Sequence, residues 1–523
     1  MSLRARNRSF GPSPARYWTM VLLLPWMGLL GCAVQPPMPE RSPSAYFADT
    51  DNTTLGRAVQ ASGPEAGRSG MRALPDPLDA FVARVALVRA AERALDVQYY
   101  IWRPDTTGIL LLNELGQAAD RGVRIRLLLD DNGIAGMDSL LAELNAHSGI
   151  EVRVFNPFAN RDFKALGYLN DFKRLNRRMH NKALVADAQA AIVGGRNIGD
   201  AFFGADPSMN FTDLDVLVAG PIAADVAGAF DTYWNSAFAY PLEALVDSTD
   251  TQPPLATLAK QVAQLPDTAR YAQALRTTEL VGHIERGTLR LDWVPMRLVS
   301  DPPGKVDGTA DPSSWMANDL ALALGPVERQ IDLVSPYFVP GASGTAALAR
   351  HPAQGVQLRL VTNSLAATDV AAVHAGYAHR RADLLRAGAQ LYEFKPHPAI
   401  EPGLRWRLGG SSSASLHGKT ISVDRQRVFV GSFNVDPRSV RLNTEMGLVI
   451  ESPALATAMA DSLDRHLAYQ AFELRLGEGG RIEWIERETA TAEPVVHLTE
   501  PRASLWRRLL VAFLSLLPIE WLL

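Results

Sequence analysis

One cysteine, Cys32, stands in a chain of 523 residues, so no intrachain disulfide can hold the fold together. Charge of one sign is also missing in excess. The net charge is −4 and there is no basic tract, so no strong field draws nucleic acid to the chain. Long apolar runs are absent too. The N-terminal "MVLLLPWMGLLGC" and the C-terminal run Leu509–Leu517 both fall short of the about 20 residues a bilayer-spanning helix needs. No good set of metal ligands stands out, and no cofactor is called for. Asp130-Asp131, the nearest candidate for a metal, reads as a strand-end turn. What remains is 47% apolar, ordinary for a globular protein, and too long for one compact domain. Two or three domains, or one domain duplicated, are expected.

The two ends carry their own signals. Arg4, Arg6, Arg8 and Arg16 precede a short apolar run with a small residue before Cys32. That is the layout of a signal peptide over residues 1–31. Leu29-Leu30-Gly31-Cys32 resembles a bacterial lipobox. The resemblance implies lipidation of Cys32 and a lipid-anchored protein on the periplasmic side of a bacterial cell envelope. Ala33, where aspartate would signal inner-membrane retention, leaves the inner and outer membranes both open. Residues 32–72, rich in Pro, Ser and Gly, read as a flexible tether. In the tail, residues 476–523, Arg507, Arg508 and two tryptophans flank the apolar run. That pattern fits an interfacial helix or a helix docked on the protein.

Between these ends the chain repeats itself. "ALDVQYYIW" (94–102) matches "QIDLVSPYF" (330–338), and "RGVRIRLLLDDN" (121–132) matches "QGVQLRLVTNS" (354–364). "SGIEVRVFNPF" (148–158) matches "AGAQLYEFKPH" (387–397). Each is a strand-like run, and helix-like stretches lie between them, a rhythm that predicts a mostly parallel sheet flanked by helices. The expected organisation is α/β, with a first half over 73–246, a connecting segment over 247–311 and a second half over 312–475.

The strongest repeat is "MHNKALVADAQAAIVGGRN" (179–197) against "LHGKTISVDRQRVFVGSFN" (416–434). Without a gap, His180, Lys182, Asp187, Gly194 and Asn197 fall on His417, Lys419, Asp424, Gly431 and Asn434. His and Lys two apart project from one face of an extended chain. Asp187 and Asp424 start hairpin turns, so they sit at the far end, orienting or capping, though they belong to the candidate catalytic set. The chain then returns, bringing the glycine and asparagine back toward the histidine.

Two such halves about a pseudo-twofold axis bring two His, two Lys and two Asn together. Ammonium and amide groups suit the non-bridging oxygens of a phosphodiester. Two imidazoles allow a two-step displacement, one attacking phosphorus and the other moving the proton of the leaving and entering oxygens. Asp213 and Glu445 lead the matched strands "FTDLDVLV" and "NTEMGLVI" and are candidates to orient the histidines.

These paired H-x-K-x4-D-x6-G-[GS]-x-N motifs resemble those of the phospholipase D superfamily, over nearly all of residues 75–475. The resemblance implies two tandem βαβ-sandwich halves sharing one active site. It implies a phosphohistidine intermediate with His180 as nucleophile and His417 as general acid and base, and a crossed arrangement in which Glu445 holds His180 and Asp213 holds His417. Stretches such as "QYYIWRPDTTG" (98–108) and "VFVGSFNVDPRSVRLNTEMGLVI" (428–450) are similar to bacterial cardiolipin synthases of the C type. That implies transphosphatidylation: a phosphatidyl group passes from phosphatidylethanolamine or phosphatidylglycerol to phosphatidylglycerol. Membrane phospholipids and the bilayer are then the partners, with no nucleic acid; any protein partner is open.

A phospholipase D hydrolase uses the same residues with water as acceptor. A nuclease and a non-catalytic membrane protein are the remaining alternatives. For head-group contacts, "HAGYAHRR" (374–381) puts His374, Tyr377, Arg380 and Arg381 at helical spacing, and Arg178 precedes His180. A solvated helix face is the competing explanation for the first group.

Overall fold

A computed structural model describes residues 37–63, 65–161, 163–206, 210–246, 253–265, 268–396, 414–489 and 492–523. Cys32 and the leader lie outside the described residues. The first half holds β1 (Arg68–Leu74), β2 (Ala94–Ile101), β3 (Arg124–Gly133), β4 (Ile150–Phe155) and β5 (Ala183–Ala186). It continues with β6 (Ala190–Gly194), β7 (Asn210–Thr212), β8 (Asp215–Ala219) and β9 (Ala239–Pro241). β10 (Asp292–Ser300) follows in the connecting segment. The second half holds β11 (Gln330–Val334), β12 (Gln357–Asn363), β13 (Gln390–Phe394), β14 (Ala414–Leu416) and β15 (Thr420–Val423). Then come β16 (Arg427–Gly431), β17 (Met446–Glu451), β18 (Ala471–Leu476), β19 (Ile482–Glu486) and β20 (Val495–His497).

In each half three strands run parallel and the motif hairpin adds antiparallel to them. β2, β3 and β4 are parallel, and β2 continues into β5, β6 and β8. β11, β12 and β13 repeat the pattern with β15, β16 and β17. The repeat read from the sequence is thus a repeat of topology. It extends to a buried ion pair: Arg126 bonds Asp96 at 2.7 Å and Asp231 at 2.6 Å, and its counterpart Arg359 bonds Asp332 and Asp464. Each guanidinium ties two strands to the helix that closes its half.

Strand alternation explains how the halves meet. Leu184, Ile192 and Leu217 point to the helix-covered core of the first half. Their neighbours Ala183, Val185, Val193 and Val216 point the other way, against Val428, Val430, Leu448 and Ile450 of the second half. Both faces of these strands are therefore buried, as their near-continuous apolar runs require.

Three boundaries differ from the sequence reading. Residues 37–72 are not a free tether: Arg41 bonds the carbonyls of Ser236 and Ala239, Phe47 lies 3.8 Å under the Arg124 guanidinium, and β1 starts at Arg68. Pro- and Ser-rich composition shows that a segment lacks a core of its own, not that it lacks a surface to lie on. The connecting segment is not merely a link, because β10 pairs with β1 through Asp292–Pro295 and with β17 through Met296–Ser300. One strand thereby joins both halves into one 18-stranded sheet. The tail contributes β19 and β20 to that sheet before its helix, Leu505–Leu514.

Candidate active site

His180 and Lys182 lie just before β5, and His417 and Lys419 just before β15. Each motif is stitched to the other half. The His180 N–H donates to the Thr444 carbonyl at 2.9 Å, and the His417 N–H to the Thr212 carbonyl at 2.8 Å. β14 and β7 pair in parallel across the interface, leading to His417 on one chain segment and Asp213 on the other. The consequence is a crossed pair of contacts. Glu445 Oε2 lies 2.8 Å from His180 Nδ1, and Asp213 Oδ2 lies 2.5 Å from His417 Nδ1. A carboxylate at Nδ1 fixes the proton there and leaves the Nε2 lone pair free.

The four groups are buried. Burial and the neighbouring lysines push both imidazoles below their ordinary pKa; His180 falls far below and is neutral near pH 7, while at His417 the ionised Asp213 opposes the shift. The two acids differ. Burial pushes Glu445 up to about 7, although Lys182 and two serine hydroxyls pull the other way. Asp213 is held well below the carboxylate range, since His417, Lys419 and Arg196 outweigh its burial. Asp213 thus favours a proton on His417 more strongly than Glu445 does on His180.

Lys182 bonds the His180 carbonyl, and Lys419 bonds the His417 carbonyl at 2.6 Å. Lys419 Nζ also lies 3.2 Å from His417 Nδ1. Both lysines are pulled below their ordinary pKa by burial, opposed by Glu445 and Asp213. Asn197 accepts from the Ile101 N–H at 3.1 Å, and its buried Nδ2 has no partner among the described residues. Asn434 is buried, and its Oδ1 is equally unpartnered.

Asp187 and Asp424 sit at the far turns, away from this cluster. Asp187 accepts from the N–H groups of Glu92, Arg93 and Ala94 at 2.8–3.0 Å. Asp424 does the same for Glu328, Arg329 and Gln330 at 2.7–3.0 Å. Both turns have positive φ at their two central residues, Asp187 and Ala188, Asp424 and Arg425, as a type I′ hairpin requires. Each aspartate locks the tip of its hairpin to the start of the adjacent parallel strand.

The head-group candidates are structural instead. Arg178 is buried against Asp130, 2.7 Å away, and bonds the Asn156 carbonyl at 3.0 Å. Its charge is spent on Asp130, which lies within β3 and not in the strand-end turn that Asp130-Asp131 suggests. His374, Tyr377 and Arg381 are buried too. Arg381 bonds Glu393 at 2.7 Å and Glu500 at 2.6 Å, and His374 bonds Glu500 at 3.1 Å. Helical spacing cannot show which face turns inward, and here the polar face meets an acidic pair, Glu393 buried and Glu500 partly so. His374, Glu393 and Glu500 lie close enough together for a metal ion, but the guanidinium already supplies their positive charge.

Several contributors carried no motif that marked them. Glu445 accepts from Ser439 at 2.8 Å and from Ser432, and its N–H donates to Asp301 at 3.0 Å. Asp301 is in turn held by Lys305 at 2.8 Å. Ser432 occupies the [GS] position of the motif. In the first half that position is Gly195, where a Cβ would lie 2.3 Å from Asp213 Oδ1. The Tyr100 ring stands edge-on to His180 with centroids 5.1 Å apart, and Phe202 and Phe211 flank His417 at 5.3 and 5.0 Å.

A family model described as "Cardiolipin synthase, PLD-like domain" matches residues 85–234 and again residues 323–467. The chain belongs to this family. Among its relatives, the cardiolipin synthase C of Escherichia coli (strain K12) is 46% identical over 465 residues, 87% of this chain and 97% of that one. A cardiolipin synthase A of Pseudomonas entomophila (strain L48) is 27% identical over 82% of this chain and 74% of its own. The crystal structure of phosphatidylserine synthase from Haemophilus influenzae Rd KW20 shares the fold, with TM-score 0.55 and 13% identity over 90% of this chain and 100% of that one. The two segments matched by the cardiolipin synthase model each contain one histidine motif and one of the crossed acids. Asp301 and Lys305, which support Glu445, lie between the matched segments.

Proposed function

We propose that the chain is a phosphatidyltransferase that makes cardiolipin from two phospholipids, with phosphatidylglycerol as acceptor and phosphatidylethanolamine or phosphatidylglycerol as donor. The observation that carries this is the crossed pair, His180 with Glu445 and His417 with Asp213, in a chain 46% identical to a cardiolipin synthase C. His180 Nε2 attacks the donor phosphorus, and His417, entering this step as the imidazolium with Asp213 on its Nδ1–H, gives its Nε2 proton to the leaving head-group oxygen, whose bond to phosphorus breaks. A phosphohistidine results. His417 then takes the proton of the acceptor hydroxyl, whose oxygen attacks phosphorus and releases His180. The ionised Asp213 supports a proton on His417, which suits the acid; the neutral His180 suits the nucleophile. Lys182, Lys419, Asn197 and Asn434 stabilise the charge on the non-bridging oxygens.

Lipidation at Cys32 and a place on the periplasmic side of the envelope belong to the same reading, supported by the lipobox-like leader. The test is product analysis in mixed micelles of phosphatidylglycerol and phosphatidylethanolamine. Cardiolipin is expected from the wild type and none from His180→Ala or His417→Ala. Phosphatidic acid as the main product would replace transfer with hydrolysis.

A further inference from the structure

The end of the sheet that carries the site is bordered by two apolar surfaces. The first is the helix Lys164–Leu175, which is linked to the site through a chain of contacts. Its Tyr168 hydroxyl donates to Asn132 at 3.1 Å, Asn132 donates to the Tyr100 hydroxyl at 3.0 Å, and the Tyr100 ring packs on His180. On its outer side Phe163, Leu166, Leu169 and Phe172 are exposed, Leu169 at 76%. The second is the C-terminal segment. Its helix turns Val511 inward against Leu365 and Ala375, while Trp506, Leu509, Phe513 and Leu516 are exposed, Trp506 at 80% and Leu516 at 82%. Together the two segments hold most of the exposed large apolar side chains among the described residues. Soluble surfaces rarely concentrate so much apolar area.

One residue ties both surfaces to the site. Arg438 donates to the Asn176 carbonyl at 2.9 Å and to Asn176 Oδ1 at 2.6 Å, at the end of the first helix. It also bonds the Leu522 carbonyl at 3.0 Å, and its N–H donates to the Leu523 carbonyl at 2.8 Å. Its neighbour Ser439 holds Glu445. Charge points to the occupant. Lys173, Arg177, Arg507 and Arg508 border the apolar faces, and among the described residues none has a carboxylate within ion-pair distance. Arg177, Arg507 and Arg508 bond only main-chain carbonyls, of Lys305, Thr368 and Glu500. Apolar faces edged by uncompensated cations match an anionic bilayer surface.

We infer that the helix Lys164–Leu175 and the C-terminal segment insert together into an anionic phospholipid surface and seat the site-bearing end of the protein against it. This rests on the proposed function for its purpose, which is entry of lipid without crossing water, but not for its test. Cys32→Ser removes the one cysteine, so single cysteines can carry an environment-sensitive fluorophore. In this full-length background, label Leu169→Cys, Phe513→Cys and Asp120→Cys. Asp120 ends the helix Thr106–Asp120, and the strand that follows starts at the Asp187 end of the sheet, where the Arg124 N–H bonds the carbonyl of Arg93, whose own N–H Asp187 accepts. On phosphatidylglycerol–phosphatidylethanolamine vesicles, the labels at 169 and 513 are expected to shift to shorter wavelength and to be quenched by spin-labelled lipid. The label at 120 is not. A water-like label at 169 while the protein is vesicle-bound overturns the inference. Leu169→Glu with Phe172→Glu is expected to cut turnover of vesicle lipid about tenfold or more, while turnover of a water-soluble short-chain phosphatidylglycerol is kept. Equal loss on both substrates also overturns it. Insertion without cardiolipin synthesis by the wild type leaves the docking surface standing and removes only the proposed reaction.

Discussion

Glu445, from the second half, holds Nδ1 of His180, from the first half, at 2.8 Å. The reciprocal contact, Asp213 on His417, is 2.5 Å. Neither half can orient its own histidine, so the site exists only when both halves are packed together.

Replacing Glu445 by glutamine keeps the shape and removes the charge that fixes the His180 tautomer. A fall in kcat of about 100-fold or more is expected, with KM little changed. Ser439→Ala frees one carboxylate oxygen and is expected to cost about tenfold, the scale of one hydrogen bond to a charged group. Steady-state kinetics on both variants checks the order. Equal activity of Glu445→Gln and wild type would refute the orienting role.

Gly195 is adjacent to the Asp213 carboxylate, and a methyl group there would collide with Oδ1. Gly195→Ala is therefore expected to displace Asp213 from His417 and abolish most activity while the protein remains folded by circular dichroism. Ser432→Gly, the reverse change in the other half, removes one donor to Glu445 and should be the milder.

Asp187 and Asp424 predict a different phenotype. Each accepts three main-chain N–H groups. Asp187→Ala leaves those donors without their acceptor and is expected to cost about 2–4 kcal/mol of stability. The melting temperature falls, and kcat of the protein that stays folded changes far less than in His180→Ala. Thermal melts alongside kinetics separate the two.

Glu445, with a pKa raised to about 7, also predicts a pH dependence of stability. As pH rises from the ordinary glutamate value of about 4.5 toward 7, the unfolded chain gives up this proton before the folded one does. The contribution is full below about 4.5 and is lost as pH passes through about 7, on the order of 3 kcal/mol in all. Asp213, with its lowered pKa, acts in the opposite sense at acid pH. Glu445→Gln should therefore lose less stability than wild type between pH 4.5 and 7, measured by urea denaturation across that range. Parallel curves would contradict a buried, proton-holding Glu445.

The repeated His-x-Lys motifs, the hairpin turns starting at Asp187 and Asp424 and the parallel strands before them were legible in the chain because each is a local pattern of fixed spacing. Local patterns also carried the phosphodiester chemistry, since two intact motifs at identical spacing leave little else to explain them. Three things were not legible. Arg178, His374 and Tyr377 have the right chemistry for a head group, yet burial against Asp130 and Glu500 decides otherwise, and burial is a property of what packs on a face. Residues 37–72 and β10 have no core of their own and take their order from surfaces distant in sequence. The support of Glu445 by Ser439, Asp301 and Lys305 spans 144 residues between Asp301 and Glu445 alone. By itself, then, the sequence determined the candidate reacting groups and how each half is built. The crossed pairing of acid and histidine was implied by the family resemblance and not by any spacing in the chain, because it crosses an interface between two halves; only the tertiary structure places those contacts, at 2.8 and 2.5 Å.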